Sequence, residues 1–387
     1  MKQKMKIGVL TYHRAINYGA FLQAYGLCER LNQEPDFEAE LIDFQCKAEV
    51  DLYRPIRLKR DLRYLIHTRR PKYDWQYVKR CRAFAQDRKR MHLSRRHVVS
   101  SSSHAFTKMV QGKYDVIVAG SDEIWKVNSF RGFPTPYWLL GDLGCRKFSY
   151  AASARTSFDL LSPQQQETLK NALDAFEYIG VRDLRTLQEV ERYVTCKEKV
   201  HLCCDPSFVY EFQADGRAGR ALLQKRYGIA PEEKCIGCMI GSNELVNALQ
   251  KRYGTEVKVI SLFEKNAGCI QAADLTPFEW LDVIAGLDFV VTSYFHGMCF
   301  SIVNQTPFFS IDNRTVGTDG SKMLDLLQRA SMEDRYEDSV AHALETGRLF
   351  TKIEEAFAGI SLDSSAFVAK NRAEFTDFIG ALRMQNR

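Results

Sequence analysis

Two rhythms of hydrophobic residues alternate along this 387-residue chain. Short apolar runs, many rich in Val and Ile, end in clusters of Gly, Ser, Asp or Asn, as buried parallel strands do. Between them apolar residues recur at helical spacing. The runs predict strands at 6–11, 37–44, 114–119, 147–152, 178–181 and 200–204, then at 234–240, 256–262, 288–292 and 308–311. Helical spacing falls at 20–31, where Phe21, Tyr25 and Cys28 share a face, and at 163–176, 242–253, 276–285 and 321–330. Residues 207–233 read as a helical connection, and Asp334 to Arg387 as two helical stretches without strands. This alternation predicts α/β layers with parallel sheets. A chain of this length usually divides its core. The expected plan is an α/β unit over 1–210, a linker over 211–233, a second α/β unit over 234–360 and a helix over 361–387. That helix is free to cross back to the first unit, giving a two-lobed clamp with a central cleft.

Phe289 to Ile311 shows the pattern most sharply: FVV, then Thr292-Ser293, then a His-Gly pair opening an apolar helical stretch, then a turn and the run FFSI. Strand, loop, helix and strand in that order place His296 just past the carboxyl end of a strand and at the start of a helix. Open α/β sheets hold their ligands there. Gly297 beside it would let a ligand or another backbone come close. A histidine that merely caps a helix or fills a crevice would fit the same position.

Composition adds limits. Hydrophobic residues make up 45% and charged residues 26%, as in ordinary soluble globular proteins, and no run approaches the roughly 18 apolar residues of a spanning helix. The start reads as a first strand, not as a signal peptide. Eleven scattered cysteines suit reduced thiols of a cytoplasmic protein. The CxxC at Cys235 and Cys238 lies in a strand-like run without a second pair, so it reads as structural. Charge is uneven. From Arg54 to Arg96 there are 16 Lys or Arg and 3 Asp, which puts +13 on this segment and −7 on the rest of a chain of net +6. Tyr64, Tyr73, Trp75, Tyr77 and Phe84 lie within it, and Tyr77, Cys81 and Phe84 recur at helical spacing. It reads as a basic helical insertion at about 54–96, serving either as a solvated face or as a contact with an anionic membrane surface. No nucleic-acid motif accompanies the charge, so no nucleic-acid partner is expected.

Motifs for dinucleotides, P-loops, nucleophile elbows and zinc are all missing from the sequence, so no metal and no cofactor are expected. What recurs instead is polar or small residues at strand ends: His13-Arg14, Asn17-Tyr18-Gly19, Gly120-Ser121-Asp122, Ser153, Arg182-Asp183, Asp205, Gly241-Ser242-Asn243, Ser293 to His296 and Asp312 to Arg314. Each alone could be helix-cap chemistry; together they suit a ligand cleft.

Several of these blocks also carry a family resemblance. TYHRAINYGAFLQAYGL (Thr11 to Leu27), YDVIVAGSDEIW (Tyr114 to Trp125), FSYAAS (Phe148 to Ser153), IGVRD (Ile179 to Asp183), CDPSF (Cys204 to Phe208) and VVTSYFHGMCFSI (Val290 to Ile302) resemble the polysaccharide pyruvyl transferases. Ser321 to Arg335 is similar to that family's tail. The resemblance implies two Rossmann-like lobes similar to the GT-B glycosyltransferase fold. It also implies transfer of the pyruvyl group of phosphoenolpyruvate to two hydroxyls of a sugar or lipid-linked oligosaccharide, as a cyclic ketal, in surface or exopolysaccharide assembly. His296 would then be the catalytic residue, as acid or as base. Arg182, from the family's VRD block, and Lys322 would bind the donor's charges, with Ser293 and Gly297 beside them and Arg314 added from its position at a strand end. Asn17, Tyr18, Gly19, Ser121, Asp122 and Asp205 would shape the cleft for the acceptor. One departure stands out: family members often have arginine two residues before the motif histidine, where this chain has Tyr294, so a bidentate anion contact is missing there. The alternatives are a GT-B glycosyltransferase using a nucleotide-sugar, and a non-catalytic membrane-associated assembly protein.

Overall fold

The computed structural model describes residues 3–53, 75–127, 132–312 and 321–384. They form two compact units, one of Met1–Val78, Lys89–Tyr210 and Arg372–Arg387, the other of Lys79–Arg88 and Glu211–Asn371.

Unit 1 contains β1 (Met5–Leu10), β2 (Phe37–Leu41), β3 (Phe44–Gln45), β4 (Val98–Val99), β5 (Val116–Ala119), β6 (Arg146–Ala152), β7 (Tyr178–Val181) and β8 (Val200–Leu202). Six of them make a parallel sheet in the order β2-β1-β5-β6-β7-β8. Its central strands are buried along their length, as a sheet covered on both faces requires. Trp125 and Trp138 stack at 5.0 Å within the core. The helix Tyr18–Asn32 follows β1 and is capped by Asn17, whose side chain accepts from the Ala20 amide.

The run expected as one strand over 37–44 breaks at Ile42-Asp43. The Ile42 amide still reaches back to Val9, but Phe44 pairs with Val98 in the separate β3–β4 ribbon. The alternation of Phe37 to Leu41 slips by one residue at Ile42, but a slip of phase does not say which strand receives the backbone beyond it.

Unit 2 contains β9 (Lys234–Met239), β10 (Val257–Ser261), β11 (Ile270–Gln271), β12 (Phe289–Thr292), β13 (Phe308–Ile311) and β14 (Tyr336–Glu337), parallel in the order β11-β10-β9-β12-β13-β14. The tail therefore does contain a strand: β14 is too short to show a period. Residues 211–233 are an integral part of this unit and not a loose linker. Their helix Gly216–Tyr227 packs so closely on the helix Pro277–Gly286 that a Cβ at Gly219 would lie 2.1 Å from the Asp282 carbonyl oxygen. Cys235 and Cys238 are three positions apart on β9 and so face opposite sides of the sheet, and no cysteine forms a disulfide.

The described part of the basic segment includes the helix Trp75–Asp87, in which Phe84 is fully buried. Residues 79–88 pack with unit 2: Arg80 donates to the carbonyls of Phe263 (2.8 Å) and Ala273 (3.1 Å), and the Asp87 carboxylate accepts from the Phe278 amide. Lys79, Arg82, Lys89, Arg90, Arg95 and Arg96 are exposed. Residues 54–74, with Arg57, Lys59, Arg60 and Arg63, lie outside the described residues.

Both sheets reverse their winding once. In unit 1 the chain leaves β1 toward β2 on one side, and leaves β5 toward β6 on the other. In unit 2 it leaves β9 toward β10 and β12 toward β13. Connections that diverge from adjacent strands leave a crevice at the carboxyl ends, where such sheets bind ligands. The crevice of unit 1 thus falls between β1 and β5, and that of unit 2 between β9 and β12.

Candidate active site

His296 stands at the crevice of unit 2. Thr292 ends β12, Ser293 crosses toward β9 by donating its amide to the Met239 carbonyl (3.1 Å), and the helix Phe295–Val303 begins at once. His296 occupies that helix's first turn, buried but for 8% of its surface. The helix is apolar on all sides because it is buried on all sides. A polar imidazole in its first turn is therefore a departure from the local pattern. Gly297 reads in the sequence as admitting a ligand or another backbone, and in the structure it admits a close approach by side chains. A Cβ there would meet Thr292 Oγ1 at 2.5 Å and the Met239 side chain at 3.1 Å. Glycine serves the tight strand-to-helix turn that aims His296.

Tyr294, at the position where arginine would give an anion contact, donates its hydroxyl to Glu264 Oε1 at 2.6 Å and its amide to Thr292 Oγ1 at 2.9 Å. Its ring meets Phe263 edge-on at 4.4 Å, and the Arg80 guanidinium lies over the Phe263 ring at 4.7 Å. Arg80, from the basic helix, thus lies over the ring that Tyr294 meets, and it donates to backbone carbonyls. Sequence reading missed Arg80 and Glu264 because both lie far from Tyr294 along the chain. Lys322 opens the helix Lys322–Arg329, and its ammonium sits 5.1 Å over the ring of Phe295, the residue before His296. The fold therefore brings Lys322 to the start of the His296 helix. Arg314 lies outside the described residues.

The edge of unit 1 is built from charge. Arg182, at the end of β7, is 1% exposed. It donates to Asp205 Oδ2 at 2.8 Å and lies 3.6 Å from Asp122 Oδ1. Burial works against its charge, and Asp205 and Asp122 more than restore it. Arg182 is thus engaged inside the unit, and the expectation that it meets the donor directly does not fit this geometry. It holds Asp122 in place. Asp205 is equally enclosed, accepting from the Ser207 amide and hydroxyl as well as from Arg182. Ser121 is fully buried and bonds Gln23, and Tyr18 and Gly19 are buried in the helix that Asn17 caps. Of the residues expected to shape the acceptor cleft, Asn17 and Asp122 keep exposed surface, and Asp122 alone is a carboxylate at the crevice, with its side chain 17% exposed.

After β1, His13, Arg14 and Asp43 form a further cluster. Arg14 Nε and Nη2 donate to the two Asp43 oxygens at 2.5 and 2.6 Å, and His13 Nε2 lies 3.1 Å from Asp43 Oδ1. Burial alone would push the Asp43 carboxyl up, but the hydrogen bonds and charges of Arg14 and His13 outweigh it and hold the group well below the usual carboxylate range.

A family model described as polysaccharide pyruvyl transferase matches residues 17–315. The chain belongs to the polysaccharide pyruvyl transferase family. A comparison with curated proteins finds no match. Among solved structures, the UDP-GlcNAc 2-epimerase of Neisseria meningitidis bound to UDP-GlcNAc is 8% identical over 97% of this chain and 99% of its own, with a TM-score of 0.51. The S. aureus MnaA–UDP structure is 11% identical over 99% of both chains, with a TM-score of 0.49. The first likeness shows the fold: two Rossmann-like units with parallel sheets, of the GT-B kind.

This pyruvyl transferase family member carries His296, Ser293, Gly297, Asp122, Arg182, Asp205 and Asn17 within the matched residues, whereas His13, Arg14 and Lys322 lie beyond them. Among the described residues, Glu337, Asp338 and His342 bring their ligand atoms within 4.8 Å of one another, a grouping that sequence spacing did not reveal. It lies at the edge strand β14, where Arg348 already pairs with Glu337 at 2.8 Å. No helix among the described residues is long and apolar enough to cross a membrane.

Proposed function

We propose that this chain moves the pyruvyl group of phosphoenolpyruvate onto two hydroxyls of a sugar as a cyclic ketal, in surface or exopolysaccharide assembly. One observation supports the reading beyond family membership: the motif histidine stands at the crevice of unit 2, on a helix start, with Lys322 over the ring of the preceding Phe295. Protonation of the donor's C3 makes C2 electrophilic, and a sugar hydroxyl adds there. Phosphate leaves with the C2–O bond electrons, and the second hydroxyl closes the ring. Of the two hydroxyl protons released, one balances that taken up at C3 and the other goes to phosphate. An imidazole can give or take such protons near neutrality, and this role falls to His296. Lys322 and the first turn of the His296 helix offer positive charge to the donor's anionic groups. Asp122 is the carboxylate that remains open to an acceptor hydroxyl.

The test is acceptor-dependent release of phosphate from phosphoenolpyruvate, against a panel of free and lipid-linked oligosaccharides. Turnover is expected to survive chelator treatment, since side chains and a helix N-terminus hold the donor's charge. Phosphoenolpyruvate should raise the melting temperature and nucleoside diphosphates should not. The reverse, with no phosphate release, would favour a nucleotide-sugar glycosyltransferase.

The basic segment is assigned to peripheral contact with anionic membrane. Each basic residue near such a surface adds about 1 kcal/mol. Co-sedimentation with anionic vesicles should fade at high salt and on changing Arg57, Lys59, Arg60 and Arg63 to Glu. Equal binding to neutral vesicles would leave the segment a solvated face.

A further inference from the structure

We propose that Arg14, backed by His13, forms an anion subsite at the crevice of unit 1 that takes a phosphate-bearing ligand. The observation is that two basic side chains, His13 and Arg14, converge on the single carboxylate of Asp43. His13 is fully buried, with Nδ1 3.0 Å from the Thr11 carbonyl oxygen and Nε2 3.1 Å from Asp43 Oδ1. A carbonyl oxygen only accepts, and so does an ionised carboxylate. Both ring nitrogens therefore face acceptors, which an imidazolium satisfies in full and either neutral tautomer only in part. Arg14 grips the same carboxylate with Nε and Nη2. With an imidazolium at His13, two cations would share one anion and leave an excess of one positive charge.

The nearby carboxylates do not cancel it. Glu123 is paired with Lys126 at 3.5 Å and with Arg155 at 3.3 Å, and Asp122 with Arg182. Among the described residues, Asp43 is the one carboxylate that pairs with His13 or Arg14. A shielded excess charge is costly unless an anion meets it. The cluster also has one opening. The side chains of His13 and Asp43 are 0% and 5% exposed, but that of Arg14 is 20% exposed. Its guanidinium, held by a planar two-point contact, keeps donors on its other edge, the geometry that suits phosphate.

The position agrees. Asp43 is anchored, its amide donating to Ser94 Oγ (2.9 Å) and its carbonyl accepting from Val98 (2.9 Å), so the cluster is rigid. The loop carrying His13 and Arg14 leaves β1 at the crevice and is tied to the end of β5 by the Thr11 hydroxyl, which donates to the Ser121 carbonyl at 2.9 Å. It then enters the helix Tyr18–Asn32, whose positive end adds to the field. The competing account is a latch that fastens this loop to the turn after β2 and binds nothing.

The identity of the ligand rests on the proposed reaction, in which either the donor or a sugar-phosphate acceptor supplies the phosphate; the site itself does not. Calorimetric titration of the full chain with inorganic phosphate, phosphoenolpyruvate and glucose 1-phosphate reads binding without turnover, so failure of the reaction leaves this test standing. At least one of these should bind, and Arg14→Gln should weaken it about 10- to 100-fold, the usual cost of losing hydrogen bonds to a charged group. An effect on phosphoenolpyruvate points to the donor, and one on glucose 1-phosphate to the acceptor. If Arg14→Gln does not fold, Arg14→Lys carries the test, because it keeps the charge and loses the fork; weaker binding is again expected. Nitrogen-15 shifts of the His13 ring should be those of an imidazolium. Failure of the wild type to bind any of the three, unchanged affinity in a folded Arg14 variant, or a neutral His13 ring would each overturn the proposal.

Discussion

At its crevice unit 2 sets a largely buried imidazole on an apolar helix, with Lys322 packed on the neighbouring Phe295 ring. Unit 1, at the equivalent place in an equally wound sheet, sets out ion pairs: Arg182 with Asp205 and Asp122, and Arg14 with Asp43. The topology is shared and the chemistry is not. Unit 2 spends few buried charges and aims one titratable ring by tight packing at Gly297. Unit 1 fixes its polar groups by pairing buried and half-buried charges with one another. Packing should therefore govern the edge of unit 2, and charge pairing that of unit 1.

The largest expected effect concerns unit 2. His296→Ala should lower kcat for pyruvyl transfer by about 10²–10⁴, the usual contribution of a group that moves protons. His296 is largely buried, so the variant's melting curve must be recorded beside its activity. A folded variant with wild-type turnover would remove His296 from the chemistry.

Next comes unit 1. Arg182→Met leaves Asp205 and Asp122 facing each other without their cation, and should cost about 3–5 kcal/mol in denaturant unfolding. Adding Asp205→Asn should recover part of it. A loss below about 1 kcal/mol would mean that these charges are solvated and that the contrast between the edges is overstated.

A smaller effect tests packing in unit 2. Gly297→Ala pushes a methyl onto Thr292 Oγ1 and should cost about 1–3 kcal/mol, as overpacking does. With Thr292→Ala in the same chain the two costs should fall short of their sum, because the clash goes with the hydroxyl.

The smallest is a pH effect on unit 1. Asp43 is held below its unfolded pKa of about 3.9, so below that value the unfolded chain binds the proton first. Its stabilising contribution is present above about pH 4 and fades as pH falls further. Asp43→Asn should flatten the stability curve in that acid range, and an unchanged acid limb would show that Asp43 is not held as described.

Much of this was legible in the chain. The central strands are buried on both faces, so apolar runs such as VIVA and FVVT could be read directly, and the polar residue after each run marked a carboxyl edge. His296 was visible because a histidine interrupts an apolar helix start immediately after a strand. The short strands β3, β11 and β14 were not visible, since two residues carry no period. The change of partner at Ile42-Asp43 left only a slip of phase at Leu41-Ile42, and alternation says which side chains are buried and not which strand receives the backbone.

What the sequence determined by itself is the alternation of strand and helix, and hence the edge on which any ligand must sit, because burial periodicity is a local property of neighbouring residues. Tertiary structure alone decided where each sheet reverses, and so which strand ends form a crevice. It also decided which charges are open. Arg182 and Arg14 look alike in the chain, each arginine standing just past a strand. Only the carboxylates delivered from Asp122, Asp205 and Asp43 enclose the first and leave the second partly exposed. Those partners lie tens of residues away along the chain, at distances set by strand order, and no local pattern encodes them.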